Sequence, residues 1–219
     1  MKEERISFQD IELFYNITEE DLNTLLYCLR SFEREYRKNE ILIFEQEKVQ
    51  YIGIVLGGRV HMMKEDIWGG QTMLGYMEAG DMVGETFAVQ KEQESHVTFI
   101  AATDVRVLYL PAANVIHPCP RQCGFHAQLT QNMFDLLGRK NVRMLEKIEV
   151  SSKPTLREKI LSYLALLAQK QNSRYVKVPL NRSELAEYLG ANRSSMTREL
   201  SAMKKEGIID FDRDTFIIK

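Results

Sequence analysis

The sequence predicts an α+β chain in three parts: a barrel or jelly roll of short strands, one long helix, and a small helical domain closed by a hairpin. Three observations carry this. Short β-rich runs separated by glycine turns fill residues 41–110, an apolar helical period runs from His126 to Val150, and two short helical patterns meet at Gly190 ahead of a hairpin signal.

Taken in order, Phe8 to Glu33 reads as one or two short helices. Thr18 stands as their N-cap, with Glu19, Glu20 and Asp21 in the first turn where the helix dipole favours acids. From Ile41 the runs ILIFE, YIGIVLGGRVHMM, QTMLGYM, HVTFIAA and VRVLYL follow, divided at Gly57-Gly58, Gly69-Gly70 and Gly80-Asp81. Many short strands at fairly regular spacing fit a small barrel or jelly roll better than a parallel sheet.

His126 to Val150 then places Leu129, Met133, Leu136, Leu137, Met144, Leu145 and Ile148 on neighbouring helix faces. A helix of about 25 residues is roughly 37 Å long, more than a small barrel covers, so part of this surface is expected to meet a second copy of the chain. Lys140 and Asn141 interrupt the seam, either facing solvent or setting its register. Ser151, Ser152, Lys153 and Pro154 mark a hinge, because proline removes a donor and turns its predecessor away from helix. The expected domains are 1–150, a roll with its long helix, and 151–219.

In the second domain TLREKILSYLALLAQK is an amphipathic helix. NRSELAEYLGANRSSMTREL carries two more, one on Leu185, Ala186 and Leu189, the other on Met196 and Leu200 and continuing to Met203. Two short helices crossing at a glycine turn form a helix-turn-helix, a pattern that points to DNA. GIIDFDRDTFIIK closes the chain as two strands around Asp212, Arg213 and Asp214, the wing of a winged helix.

Charge is divided accordingly. The 219 residues hold 29 Lys and Arg against 31 Asp and Glu, a net −2, but residues 151–219 carry 13 against 8, a net +5, leaving −7 for residues 1–150. The basic half is the half with the helix-turn-helix, as expected if that half alone meets phosphates. Cys28, Cys119 and Cys123 form no disulfide framework, and no apolar run reaches the roughly 18 to 20 residues that cross a bilayer, so a cytoplasmic protein without membrane partners is expected.

The marks GGRV (57–60), EAGDMVGE (78–85), the long helix before Pro154, and NRSELAEYLGANRSSMTREL followed by GII occur in an order that resembles the CRP/FNR family of bacterial transcription regulators. The resemblance implies a cyclic-nucleotide-binding-like β-roll that senses a small-molecule effector, a dimerisation helix, and a winged helix that binds a palindromic operator as a homodimer, with RNA polymerase as a further partner. It places Arg193, Ser194, Thr197 and Arg198 at base-reading positions, and Arg182 and Ser183 as phosphate clamps or N-terminal caps. Arg198 is the strongest candidate, since its planar fork matches guanine O6 and N7, a contact worth about 1–3 kcal/mol of discrimination. Ser194 departs from the glutamate many members have. Glu199 departs from an apolar position, implying a rotated recognition helix or a surface pair with Arg or Lys.

Cyclic-nucleotide-binding members have a phosphate cassette running from Gly-Glu to an Arg about a dozen residues later. Here Gly84 and Glu85 begin it, but Ser95 and His96 stand at its end, and Val142 and Arg143 stand where the long helix should offer hydroxyls to an adenine. A cyclic phosphate without its guanidinium lacks its strong bidentate contact, so an effector other than cAMP is expected. An iron–sulfur cluster would need a fourth cysteine. A Cys119–Cys123 redox pair, or haem held by His61, His96, His117 or His126, are the redox and gas-sensing alternatives, and no cofactor is singled out. A cupin-like enzyme built on Glu85, His61 and His96 is the alternative of another class, unsupported by any ligand-spaced histidine motif or nucleophile elbow. The expectation is a regulator with neither catalytic nor metal site.

Overall fold

The computed structural model describes residues 6–117 and 123–219. Two 3-10 turns, Phe8–Asp10 and Glu12–Phe14, precede helix α1, Glu19–Leu29. Thr18 caps α1 as expected, its hydroxyl accepting from the Asp21 amide at 3.2 Å. The helical region is shorter than the sequence predicts. Arg30 adopts a left-handed conformation (φ 57°) and donates its amide to the Leu26 and Tyr27 carbonyls, so α1 stops at Leu29 and strand β1, Phe32–Tyr36, begins where helix was expected.

Strands β2 (Ile41–Ile43), β3 (Tyr51–Gly57), β4 (Val60–Glu65), β5 (Gln71–Met77), β6 (Met82–Val83), β7 (Thr98–Ala101) and β8 (Val105–Pro111) complete two four-stranded antiparallel sheets. Their orders are β1-β8-β3-β6 and β2-β7-β4-β5. Ile52 to Leu56 in β3 are all buried, with the small Gly53 lying against Val107 and Tyr109, because both faces of that strand are covered. Leu22, Leu25 and Leu29 of α1 join the same apolar core, as do Leu129, Met133 and Leu136 of the long helix. Each such side chain contributes about 1.5–3 kcal/mol by leaving water. Asn132 ties the helix to the N-terminal segment, donating to the Leu13 and Tyr15 carbonyls at 2.9 and 2.8 Å.

The β4–β5 hairpin ends in a turn organised by Asp66, whose Oδ1 accepts from the Trp68 and Gly70 amides, both at 2.8 Å. Ile67 and Trp68 project from it, 88% and 85% exposed.

Two short helices, α2 (Glu85–Ala88) and α3 (Ala112–Ile116), flank the sheets, and the long helix α4 runs unbroken from Gly124 to Ser151. Compact units part at Lys140, giving Met1–Lys140 and Asn141–Lys219, so the last turns of α4 go with the second unit. There α5 (Leu156–Gln171), α6 (Arg182–Tyr188) and α7 (Arg193–Lys205) join a three-stranded sheet of order β10-β11-β9, formed by Ile209–Asp212, Thr215–Ile218 and Tyr175–Lys177. The helix starts are fixed locally. Thr155 with Glu158 and Asn181 with Glu184 form capping boxes on α5 and α6, and Asn192 caps α7, each worth about 1 kcal/mol. Among the described residues, no helix is long and apolar enough to cross a membrane.

Candidate functional site

Between α6 and α7, Gly190 takes φ 64°, a left-handed conformation that lets the chain turn sharply into the Asn192 cap. Helix α7 buries Met196, Leu200 and Met203, which leaves Arg193, Ser194, Thr197 and Arg198 exposed on its other side. Their hydrogen bonds are local. Ser194 donates to Asn192 Oδ1 at 2.8 Å, Thr197 donates to the Arg193 carbonyl at 2.9 Å, and Arg198 Nε reaches back to the Ser194 carbonyl at 3.4 Å. Ser201, one turn on and also exposed, extends the polar face and was not picked out from sequence.

Arg182 and Ser183, offered by the family resemblance as phosphate clamps or N-terminal caps, are placed differently from one another. Asn181 performs the capping, accepting from the Ser183 and Glu184 amides at 2.9 and 3.1 Å. Arg182 turns to the wing, where its guanidinium lies over the rings of Phe211 and Phe216 at 4.7 and 4.5 Å and donates to the Arg213 carbonyl at 2.8 Å. Burial pushes its pKa below the usual arginine value, partly offset by Asp214. Arg213 itself, exposed at the turn with φ 50°, presents its side chain between Asp212 and Asp214.

Glu199 makes the surface pair named as one of its two sequence readings. Arg157 on α5 donates through Nε to Glu199 at 2.6 Å and through both terminal nitrogens to Glu206 at 2.6 and 2.9 Å, fastening α5 to the recognition helix. Hydrogen bonding to Arg157 holds the Glu206 carboxyl below its usual range. On the last turns of α4, Glu146 pairs with Lys170, and Lys147 donates to the Tyr188 carbonyl while its ammonium lies 3.5 Å from that ring centre. Burial, then Lys159, pulls the Lys147 amine down to about 8. Nothing in the local pattern around Lys147 marks it, because its partner is 41 residues away.

In the roll, Gly84 opens α2 at φ 77°, and a Cβ there would stand 2.7 Å from Ile43 Cδ1. Glu85 follows, fully buried, and is paired with Lys140 of α4. Lys140 is therefore not simply turned to solvent, one of the two roles the sequence offered it. Its ammonium also lies 3.5 Å from the Met82 carbonyl, and Thr86 donates to the same Glu85 oxygen at 3.1 Å. Ser95 is buried and satisfied, donating to the Val97 carbonyl at 2.6 Å, whereas His96 is exposed with its ring 5.8 Å from that of Phe87. Val142 and Arg143 lie in an exposed stretch of α4, residues 141–145.

The other sensing candidates are dispersed. His61 lies half-buried on β4, His117 is exposed at the end of α3, and His126 is buried in the first turn of α4, its Nε2 2.9 Å from the Asn114 carbonyl. Cys28 is exposed on α1, Cys123 is half-buried just before α4, and Cys119 lies outside the described residues. Among the described residues no three His, Cys, Asp or Glu side chains are grouped to hold a metal, so Glu85, His61 and His96 do not converge as the enzyme alternative required.

A β-roll joined through a long helix to a winged helix with an exposed polar recognition face defines a class, that of DNA-binding transcription regulators. The cyclic nucleotide-binding domain family matches residues 33–117, and the Crp-like helix-turn-helix domain family matches residues 158–219. The transcriptional activator protein FnrL of Cereibacter sphaeroides is 24% identical over 206 residues, covering 85% of this chain and 76% of its own. The cAMP-activated global transcriptional regulator CRP of Escherichia coli O6:H1 is 22% identical over 195 residues, covering 84% and 88%. A CooA mutant from Carboxydothermus hydrogenoformans shares the fold at a TM-score of 0.72 with 23% identity, over 92% of this chain and 88% of that one. The chain belongs to the CRP/FNR family and is a transcription regulator, not an enzyme.

Proposed function

We propose that the chain acts in the cytoplasm as a homodimer that reads a two-fold symmetric operator with α7, under the control of a signal received by the roll that is not cAMP. The observation that carries this is the face of α7, where Arg193, Ser194, Thr197 and Arg198 stand exposed without an ion-pair partner among the described contacts of that helix face. Arg198 reads guanine, Ser183 meets a phosphate, and Arg182 holds the wing. Phe134, Val142, Leu145 and Ile148 of α4, each more than half exposed, supply the dimer seam. RNA polymerase enters as a partner wherever the operator lies beside a promoter.

The signal is set apart from cAMP by three residues. Ser95 offers a buried, satisfied hydroxyl where a guanidinium is needed, His96 points to solvent, and Glu85 is occupied by Lys140. The cAMP activation for which CRP is named is accordingly not proposed for this chain.

Selection from a random duplex pool followed by footprinting tests the reading. The expected product is a palindrome with half-site centres about one helical turn apart, bound with a steep salt dependence. Selection of no common sequence would reject it, and saturable cAMP binding by calorimetry would reject the negative part.

A further inference from the structure

We infer that Arg213, at the apex of the wing, is a second sequence reader, entering the minor groove beside each half-site and selecting narrow, A·T-rich flanks there. The inference rests on the reading of the chain as a dimeric operator binder and adds to what that operator must contain.

Strands β10 and β11 pair Asp212 with Thr215, so Arg213 and Asp214 make a two-residue turn. Its first position has φ 50°, a left-handed conformation that glycine or asparagine fills at least cost. Arginine is a strained choice there, and such strain persists only where the surroundings hold it. Arg182, the first residue of α6, donates to the Arg213 carbonyl at 2.8 Å, the Val178 amide donates to the Asp214 carbonyl at 2.8 Å, and Lys204 of α7 donates to the Phe211 carbonyl at 3.0 Å. The backbone of the turn is thus fixed by three separate segments. The Arg213 guanidinium, by contrast, is exposed and makes no hydrogen bond or ion pair among the described residues.

The position of the turn narrows its target. In a helix-turn-helix the first helix crosses the sugar–phosphate backbone while the second lies in the major groove. A turn bonded to the first residue of α6 therefore stands over the backbone at the margin of the groove that α7 enters, and the next surface beyond that backbone is a minor groove. Charge decides between backbone and groove. Asp212 and Asp214 are both exposed, so the turn carries one arginine against two aspartates, a net −1. Such a tip is a poor clamp for ordinary phosphates, because two carboxylates oppose its one cation. The narrow minor groove of an A·T run has an enhanced negative potential that draws in a lone arginine, and the long side chain carries its charge to the groove floor while the shorter acids stay at the rim. Elsewhere on the duplex the acids repel. One turn therefore supplies both attraction to the right flank and a penalty against the wrong one.

The test compares duplexes that share the selected half-sites and differ only in the flanking base pairs: A·T runs, G·C runs, and I·C runs, in which inosine removes the guanine N2 amino group from the minor groove and leaves the major-groove edge unchanged. Binding of the full-length protein is followed by fluorescence anisotropy, with a scrambled duplex as reference. The wild type is expected to bind A·T flanks about tenfold more tightly than G·C flanks, or about threefold per half-site, with I·C flanks close to A·T. Arg213→Gly is expected to abolish that preference, to keep the preference for the half-sites over the scrambled duplex, and to melt no lower than wild type, since glycine relieves the left-handed position. Asp212→Asn combined with Asp214→Asn is expected to tighten binding to the scrambled duplex and to shrink the flank ratio. Equal affinity for A·T and G·C flanks in the wild type overturns the inference, as does a flank preference that survives in Arg213→Gly or that treats I·C as G·C. Wild type that does not distinguish the half-sites from the scrambled duplex overturns the operator reading as well.

Discussion

Removing the Arg182 guanidinium separates two roles that its position alone would allow. In the structure it donates a charged hydrogen bond to the Arg213 carbonyl at 2.8 Å and stacks on Phe211 and Phe216. A hydrogen bond from a charged donor is worth about 1.5–3 kcal/mol, and cation–π contacts at partly exposed sites add about 0.5–1 kcal/mol each. Half-burial of the cation offsets part of this, so Arg182→Ala is expected to destabilise the winged unit by about 2–3 kcal/mol. Arg182→Lys should recover less than half, because an ammonium cannot reproduce the planar stack. Thermal unfolding by circular dichroism reads the first effect. The salt dependence of operator binding reads the alternative, since a phosphate contact adds about 0.9 to the slope, or about 1.8 for the two copies in a dimer. An unchanged slope with lost stability is the expected pair of results. Unchanged stability with a slope reduced by about 1.8 would refute the wing-anchor role.

Other consequences are equally direct. Glu206 is held below its ordinary range by Arg157, so the unfolded chain binds more protons between the two pKa values and stability falls as pH drops through that acidic window. Arg157→Gln should flatten the acid limb in pH-dependent denaturation, and an unaltered limb would reject the linkage. Lys147 has the opposite charge and the same sign: with its amine lowered to about 8, the folded state binds fewer protons above that value. Stability of the winged unit should therefore rise with pH from about 8 to the ordinary lysine range, a trend that Lys147→Met abolishes. Leu145→Asp with Ile148→Asp should raise the dimer dissociation constant at least about a hundredfold in sedimentation, given about 1.5–3 kcal/mol per apolar side chain covered. Sedimentation unchanged from wild type would place the seam elsewhere. Gly84→Ala should lower the melting temperature, at a cost of about 1–3 kcal/mol for a left-handed non-glycine residue, with Ile43 in the path of the new methyl. An unchanged melting temperature would show that the turn relaxes freely.

What could be read from sequence was whatever is encoded by near neighbours. The Thr18 cap follows from residues within one turn, and the period of α4 and the helix-turn-helix spacing from a few turns. Strands β3, β4 and β8 announce themselves as apolar runs because they are long and their apolar residues are covered. Strand β1 does not, since four of its five residues are exposed at a sheet edge, and β6 is only two residues long. The exposed polar face of α7 was legible through family positions. The pairing of Lys140 with Glu85 and the stacking of Arg182 on the wing rings were not legible, because neither partner lies near in sequence. In each case the deciding contact is made by residues distant along the chain, where periodicity has no reach.

The turn built by Asp66 has a practical corollary for spectroscopy. Trp68 is the only tryptophan in the chain, and it stands almost wholly in water at the hairpin tip. Its emission in the native state is already that of a hydrated indole, so melting either compact unit should scarcely shift the wavelength maximum. Intrinsic fluorescence is consequently a poor gauge of folding in this protein, and a blue shift, if one appears, reports that something has covered the tip.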